Sequence, residues 1–174
     1  QKSGAIDYTN IHNSIRQLLN YVEKSKRNPE DLLVIIRSTA VSGTTDQLTQ
    51  QYPLRFAFNP EFLRERHALE DMRNTDRVVI GANTPEDQEK ATAVYKPVFP
   101  NAKYVLTDTK TAEMIKYMAN GMLTAQVALA NEFYQICQAL GINYDEVKNA
   151  ILLDPRVGKN LNVPGPDGDL GFGG

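Results

Sequence analysis

The sequence predicts an α/β protein: part of a doubly wound, parallel, Rossmann-like sheet, followed by one long helix and a helical segment. Three observations carry this. Short apolar runs at Leu32–Ile36, Phe56–Phe58, Arg77–Ile80 and Lys103–Leu106 alternate with helical patterns, as in a parallel, helix-covered sheet. The first run is continuously apolar, as suits a strand buried on both faces. After Asp108 the alternation stops, and Thr109 to about Leu140 runs without a Gly-Pro break in Ala, Met, Leu, Ile and Gln.

Taken in order, Ile11, Ile15, Leu18, Leu19 and Val22 recur at helical spacing from Tyr8 to about Lys26, and Asn28-Pro29 ends that helix. The Leu32–Ile36 strand gives way to Arg37-Ser38-Thr39, then Ser42-Gly43 and a short helix from Thr44. The Phe56–Phe58 run is the expected partner of the first strand, and Asn59-Pro60 stops it, because proline brings no N–H to a ladder. Gly81 closes the Arg77–Ile80 strand. Thr84-Pro85 reads as a threonine N-cap with proline at the first helical position, opening a helix to about Tyr95. At about 1.5 Å per residue the Thr109–Leu140 helix would be roughly 48 Å long, too long for one small sheet and suited to bridging domains or forming a subunit interface. Gly141 ends it. Asn143 begins a further helix with Glu146 as a reciprocal capping box, and the glycine- and proline-rich tail from Asp154 is loop. The domain division expected is residues 1–108 and 109–174.

Composition narrows the function classes. The chain has 174 residues, 41% hydrophobic and 23% charged, with a net charge of −2. Its basic residues form no patch, which argues against a nucleic-acid partner, and no apolar run approaches the roughly 20 residues that span a bilayer. No membrane partner and no export leader are expected. A single cysteine, Cys137, rules out an internal disulfide and a multi-cysteine metal site, and fits a cytoplasmic location. His12 and His67 have no metal-site spacing, so no metal is expected. No G-x-G-x-x-G opens the sheet.

Chemistry concentrates in four stretches. Asn59-Pro60-Glu61-Phe62-Leu63-Arg64-Glu65 sits where a strand ends, the place where open α/β sheets bind ligands. If it turns into a helix, Glu61 and Glu65 share a face; the plain alternative is a solvated charged turn. Ser38-Thr39 offers two hydroxyls at another strand end, or simply begins a turn. Lys116 and Asn120 lie one turn apart at the edge of the long helix's apolar stripe. There a lysine can neutralise a developing oxyanion, or else snorkel to solvent. The Asp154–Gly174 loop, with Arg156 and Gly171-Phe172-Gly173-Gly174, lets backbone amides approach an anion, or serves as a linker.

Together these stretches resemble the nucleotide-sugar 6-dehydrogenases. R-S-T-A-V-S-G-T-T is similar to the family's K-S-T-V-x-x-G-T-T, N-P-E-F-L-R-E to its substrate segment, E-M-I-K-Y-M-A-N to its lysine–asparagine helix, and D-P-R-V-G…G-F-G-G to the loop before its catalytic cysteine. The resemblance implies oxidation of a primary alcohol to a carboxylate with two NAD and a cysteine thioester. The expected substrate is UDP-glucose, with GDP-mannose as the alternative; a non-catalytic dimerisation or adaptor module is the other reading. It further implies Thr39, Glu61, Lys116 and Asn120 as catalytic residues, and Ser38, Thr39 and Glu65 at the nicotinamide end of NAD. Glu61, Phe62, Leu63, Arg64, Glu65, Lys116, Asn120, Arg156, Gly171, Phe172 and Gly173 would contact the nucleotide sugar. Arg156 would act in the neighbouring subunit of a homodimer built on the long helix. The same resemblance places the glycine-rich NAD loop upstream of Gln1 and the catalytic cysteine just past Gly174, so the 174-residue chain alone is expected to be inactive.

Overall fold

The structure, a computed structural model, describes residues 6–158 apart from the Glu65 side chain. The described residues divide into two compact units: 6–60 with 75–113, and 61–74 with 114–158.

The first unit is a four-stranded sheet with helices. Its elements are α1 (Thr9–Lys24), β1 (Leu33–Ile36), α2 (Thr44–Gln51), β2 (Arg55–Phe58), β3 (Arg77–Gly81), α4 (Pro85–Tyr95), β4 (Lys103–Thr107) and the first turn of α5 (Thr109–Leu140); α3 (Ala68–Arg73) belongs to the second unit. The strand order is β1-β2-β3-β4. β1 pairs with β2, and β3 with β4, in parallel. Side chains alternate across the pleat. Ala57, Val78, Ile80, Ala82 and Ala91 form one buried cluster with Leu33, Ile35, Tyr95 and Phe99 against it, and α4 packs on β1, β2 and β3. Thr84 caps α4 as expected, its hydroxyl oxygen accepting the Asp87 N–H at 3.1 Å.

The sheet is not parallel throughout. β2 meets β3 antiparallel, and only at their ends, where Phe58 faces Gly81. Asn59 N–H donates back to Ile36, so the next backbone donor towards β3 would come from residue 60. That residue is proline, which has no N–H. The Asn59 side-chain amide donates to the Val79 carbonyl instead, at 2.7 Å, and both residues are buried. Pairing therefore stops after one residue pair, and the chain is released into the Glu61 segment.

Gly81 is buried where the sheet touches the start of α5. A Cβ there would stand 2.5 Å from Ala112 Cβ and 2.9 Å from the Asp108 carbonyl oxygen. Gly81→Ala is therefore expected to destabilise the protein by about 1–3 kcal/mol through overpacking, read as a lowered urea midpoint with an unchanged slope.

The second unit holds a short 3-10 turn (Glu65–His67), α3, the rest of α5, and α6 (Tyr144–Ile151). Helix α5 is continuous over 32 residues and passes Gly121 without a break. Its end is fixed by Gly141 at φ +67, with Ile142 N–H bonding to the Cys137 carbonyl and Gly141 N–H to that of Gln138. This is the Schellman pattern, which a Cβ at the left-handed position would strain. Cys137 is buried with Ala130 and Tyr144, and Tyr134 packs against them. Asn143 caps α6 by accepting the Asp145 N–H. Glu146 does not close the expected reciprocal box; it accepts the Asn143 side-chain amide at 3.2 Å, because a side-chain donor competes for its carboxylate. Among the described residues no helix is long and apolar enough to cross a membrane.

Candidate active site

The segment after Pro60 does not form the helix that would put Glu61 and Glu65 on one face. Its amides are taken by side chains instead of by carbonyls one turn back. Leu63 N–H donates to Glu61 Oε2 at 2.7 Å, and Arg64 N–H to Asp71 Oδ2 at 2.7 Å. Arg64 is extended, and helical geometry begins only at Glu65. With Oε2 occupied by this turn, Glu61 presents Oε1 to Lys116 Nζ at 3.3 Å.

Lys116 is only 6% exposed. Its ammonium lies 5.3 Å from the centre of the Phe62 ring, within reach of a cation–π attraction. The head group therefore turns inward to a carboxylate and an aromatic face, not outward to solvent. Burial of an ammonium is costly unless it is paired, and here the partner comes from the segment that ends β2. Asn120 is one turn further along the same face of α5, half-buried, with its carbonyl accepting the Thr124 hydroxyl. A cation and an amide on one face of α5, with a carboxylate from the 61–64 turn against the cation, can steady an oxygen that gains negative charge and hold a water or alcohol proton.

The remaining expected residues are placed as follows. Phe62 and Leu63 are half-buried beside Glu61. The Arg64 guanidinium forks onto Asp71, Nη2 to Oδ1 at 2.6 Å. Ser38 and Thr39 are exposed in the first unit, just beyond the carboxyl end of β1. Arg156 is exposed and forks onto Asp154, which holds the Asp154 carboxyl below its usual range. The Glu65 side chain and Gly171, Phe172 and Gly173 lie outside the described residues. His12 meets the Tyr52 hydroxyl at 2.8 Å, and His67 stands beside Glu70. Among the described residues, no three His, Cys, Asp or Glu side chains are grouped to hold a metal.

Sequence reasoning missed Glu113. It is fully buried, and its carboxylate accepts the N–H groups of Gly43 and Thr45 and the Thr45 hydroxyl, the last two at 2.7 and 2.6 Å. It thus fills the amino end of α2, where the helix dipole favours a negative group. Asp46 does similar work one residue on: it accepts the buried Thr109 hydroxyl at 2.7 Å and the Asn83 amide at 2.8 Å. The Thr109 hydroxyl, first among several donors, holds the Asp46 carboxyl below its usual range. Together they fasten the first turn of α5, three residues ahead of Lys116.

Comparison with known proteins shows the family. Residues 1–99 match the NAD binding domain of the UDP-glucose/GDP-mannose dehydrogenase family, and residues 110–174 its central domain. The UDP-glucose 6-dehydrogenase of Rickettsia felis is 33% identical over 180 residues, covering 100% of this chain and 38% of that protein. The chain thus spans about two-fifths of the length of such relatives. Among solved structures, a UDP-glucose dehydrogenase from Pyrobaculum islandicum shares 36% identity over 74% of this chain and 31% of its own, with a TM-score of 0.67. A ternary complex of GDP-mannose dehydrogenase from Pseudomonas aeruginosa has a TM-score of 0.76 at 27% identity, covering 93% of this chain and 38% of its own. With both halves of the chain matched in order, and a buried lysine paired to the glutamate of N-P-E-F-L-R-E, the chain belongs to the UDP-glucose/GDP-mannose dehydrogenase family.

Proposed function

We propose that the complete protein oxidises the terminal primary alcohol of a nucleotide sugar, UDP-glucose first, to the carboxylate, with two NAD consumed and a cysteine thioester between the steps. The observation that carries this reading is the buried Lys116 paired at 3.3 Å with the half-buried Glu61. Lys116 and Asn120 steady the alkoxide and later the tetrahedral oxyanion. Glu61, with Lys116 beside it, holds the water that hydrolyses the thioester, and Thr39 or Glu61 takes the alcohol proton. The backbone of Phe62, Leu63 and Arg64, with Gly171, Phe172 and Gly173, cradles the nucleotide sugar.

NAD, when bound, supplies the hydride acceptor. The residues present fit one end of it. Ser38 and Thr39 offer exposed hydroxyls beyond β1 to the nicotinamide end. The amino end of α2 is already filled by Glu113, so the pyrophosphate is held by another part of the protein. We assign residues 1–108 to the NAD-binding domain and 109–174 to the central one. Helix α5 exposes Met118, Met122, Leu129, Phe133, Ile136 and Leu140, a row that suits a homodimer in which Arg156 reaches the neighbouring subunit. The one cysteine, buried and free, is in keeping with a reducing cytoplasm.

GDP-mannose is the second reading, favoured by the TM-score of 0.76 to the GDP-mannose enzyme. The test is to follow reduced nicotinamide with the protein expressed from its complete reading frame. The expected result is two reduced cofactors per UDP-glucose, with GDP-mannose turned over poorly. Preference for GDP-mannose reverses the assignment, and no turnover with either sugar removes the dehydrogenase reading in favour of a non-catalytic module.

A further inference from the structure

The turn that carries Glu61 is itself held by a second carboxylate. Asp71, in the first turn of α3, accepts the Arg64 N–H at 2.7 Å, Arg64 Nε at 3.0 and 3.2 Å, and Arg64 Nη2 at 2.6 Å. One carboxylate therefore closes residues 64–71 with a backbone bond and a two-pronged guanidinium fork, the stronger kind of charged hydrogen bond. The Arg64 guanidinium beside it holds the Asp71 carboxyl down to about 2. Two consecutive amides, those of Leu63 and Arg64, thus end on two different carboxylates, Glu61 and Asp71. Neither peptide can rotate without breaking one of these bonds. Fixing them fixes where the second oxygen of Glu61 points, which is at Lys116.

We propose that Asp71 is a positioning residue: through the Arg64 amide it sets the 61–64 turn, and through that turn it aims Glu61 Oε1 at Lys116. The Arg64 guanidinium is then an internal clamp and not a ligand of the substrate. This inference rests on the dehydrogenase reading for its kinetic consequence, though not for its structural one.

The kinetic test compares Asp71→Ala, Asp71→Asn and Arg64→Ala in the complete enzyme. Asp71→Ala removes both the fork and the acceptor of the Arg64 amide. Arg64→Ala removes only the fork. A small misplacement of a catalytic group costs roughly tenfold to a hundredfold, so Asp71→Ala is expected to lose about that much kcat, with KM within a few-fold. Asp71→Asn keeps the shape and one acceptor oxygen, and it and Arg64→Ala should both lose less. A kcat for Asp71→Ala equal to wild type overturns the proposal. So does an Arg64→Ala variant whose main defect is a raised KM, because the guanidinium would then be binding substrate. A structural arm is independent of turnover: the Leu63 and Arg64 amide resonances should both move in Asp71→Asn. If the Leu63 amide stays in place, the coupling is absent and the proposal fails, even in an active enzyme. If both amides move in a protein that turns over no nucleotide sugar, the clamp stands and the dehydrogenase reading falls.

Discussion

Lys116→Met in the complete enzyme is expected to lower kcat by about a hundredfold or more while leaving the nucleotide-sugar KM within a few-fold. The reason lies in when the ammonium acts. The alcohol is neutral in the ground state, and the charge that Lys116 meets develops only as the alkoxide or tetrahedral oxyanion forms. A group that meets only developing charge lowers the barrier without tightening ground-state binding, and losing one such donor costs roughly a hundredfold to a thousandfold. Methionine keeps an unbranched apolar side chain of similar volume while removing the ammonium over Phe62. Glu61, whose side chain is 33% exposed, can hydrate when its partner is removed, so the variant should fold. Steady-state kinetics with unfolding curves check this. A variant with wild-type kcat would return Lys116 to a structural ion pair.

The largest stability effect is expected at Glu113. Glu113→Ala leaves the N–H groups of Gly43 and Thr45 and the Thr45 hydroxyl without their acceptor, at a site where Glu113 and Thr45 are fully buried and Gly43 half-buried. An orphaned buried donor costs about 1–3 kcal/mol, and the emptied volume adds a cavity term. The loss should therefore reach at least about 3 kcal/mol. Glu113→Gln fills the volume and still accepts through one oxygen, but turns an NH2 group towards a donor, so its loss should be smaller. Urea midpoints at constant slope give both values. A loss below about 0.5 kcal/mol for the alanine variant would mean that water replaces the carboxylate, and that α2 and the first turn of α5 are not fastened by it.

The strands and the long helix were legible because their signals are local. The Val78–Ile80 run can only be a buried strand, and Gly141 is the one residue near Leu140 that takes the left-handed turn without strain. The Asn59–Glu65 segment and Lys116 were legible as chemistry through their resemblance to a known arrangement. What was not legible depends on side chains that compete with the backbone. Pro60 and the Asn59 amide limit the antiparallel β2–β3 junction to one residue pair. Glu61 and Asp71 take the amides that a helix would have used. Glu113 accepts from residues 68 and 70 positions away, a pairing that no periodicity reports.

If Lys116 and Glu61 form the place where the sugar's alcohol is oxidised, a crystal structure of the complete protein with a bound nucleotide sugar will show the alcohol there. The hexose hydroxymethyl oxygen is expected within about 3 Å of Lys116 Nζ, the hydrogen-bond reach that such chemistry needs, with the Glu61–Leu63 turn retained. A nucleotide sugar bound with that oxygen well beyond hydrogen-bond reach of both Lys116 and Glu61 would contradict it.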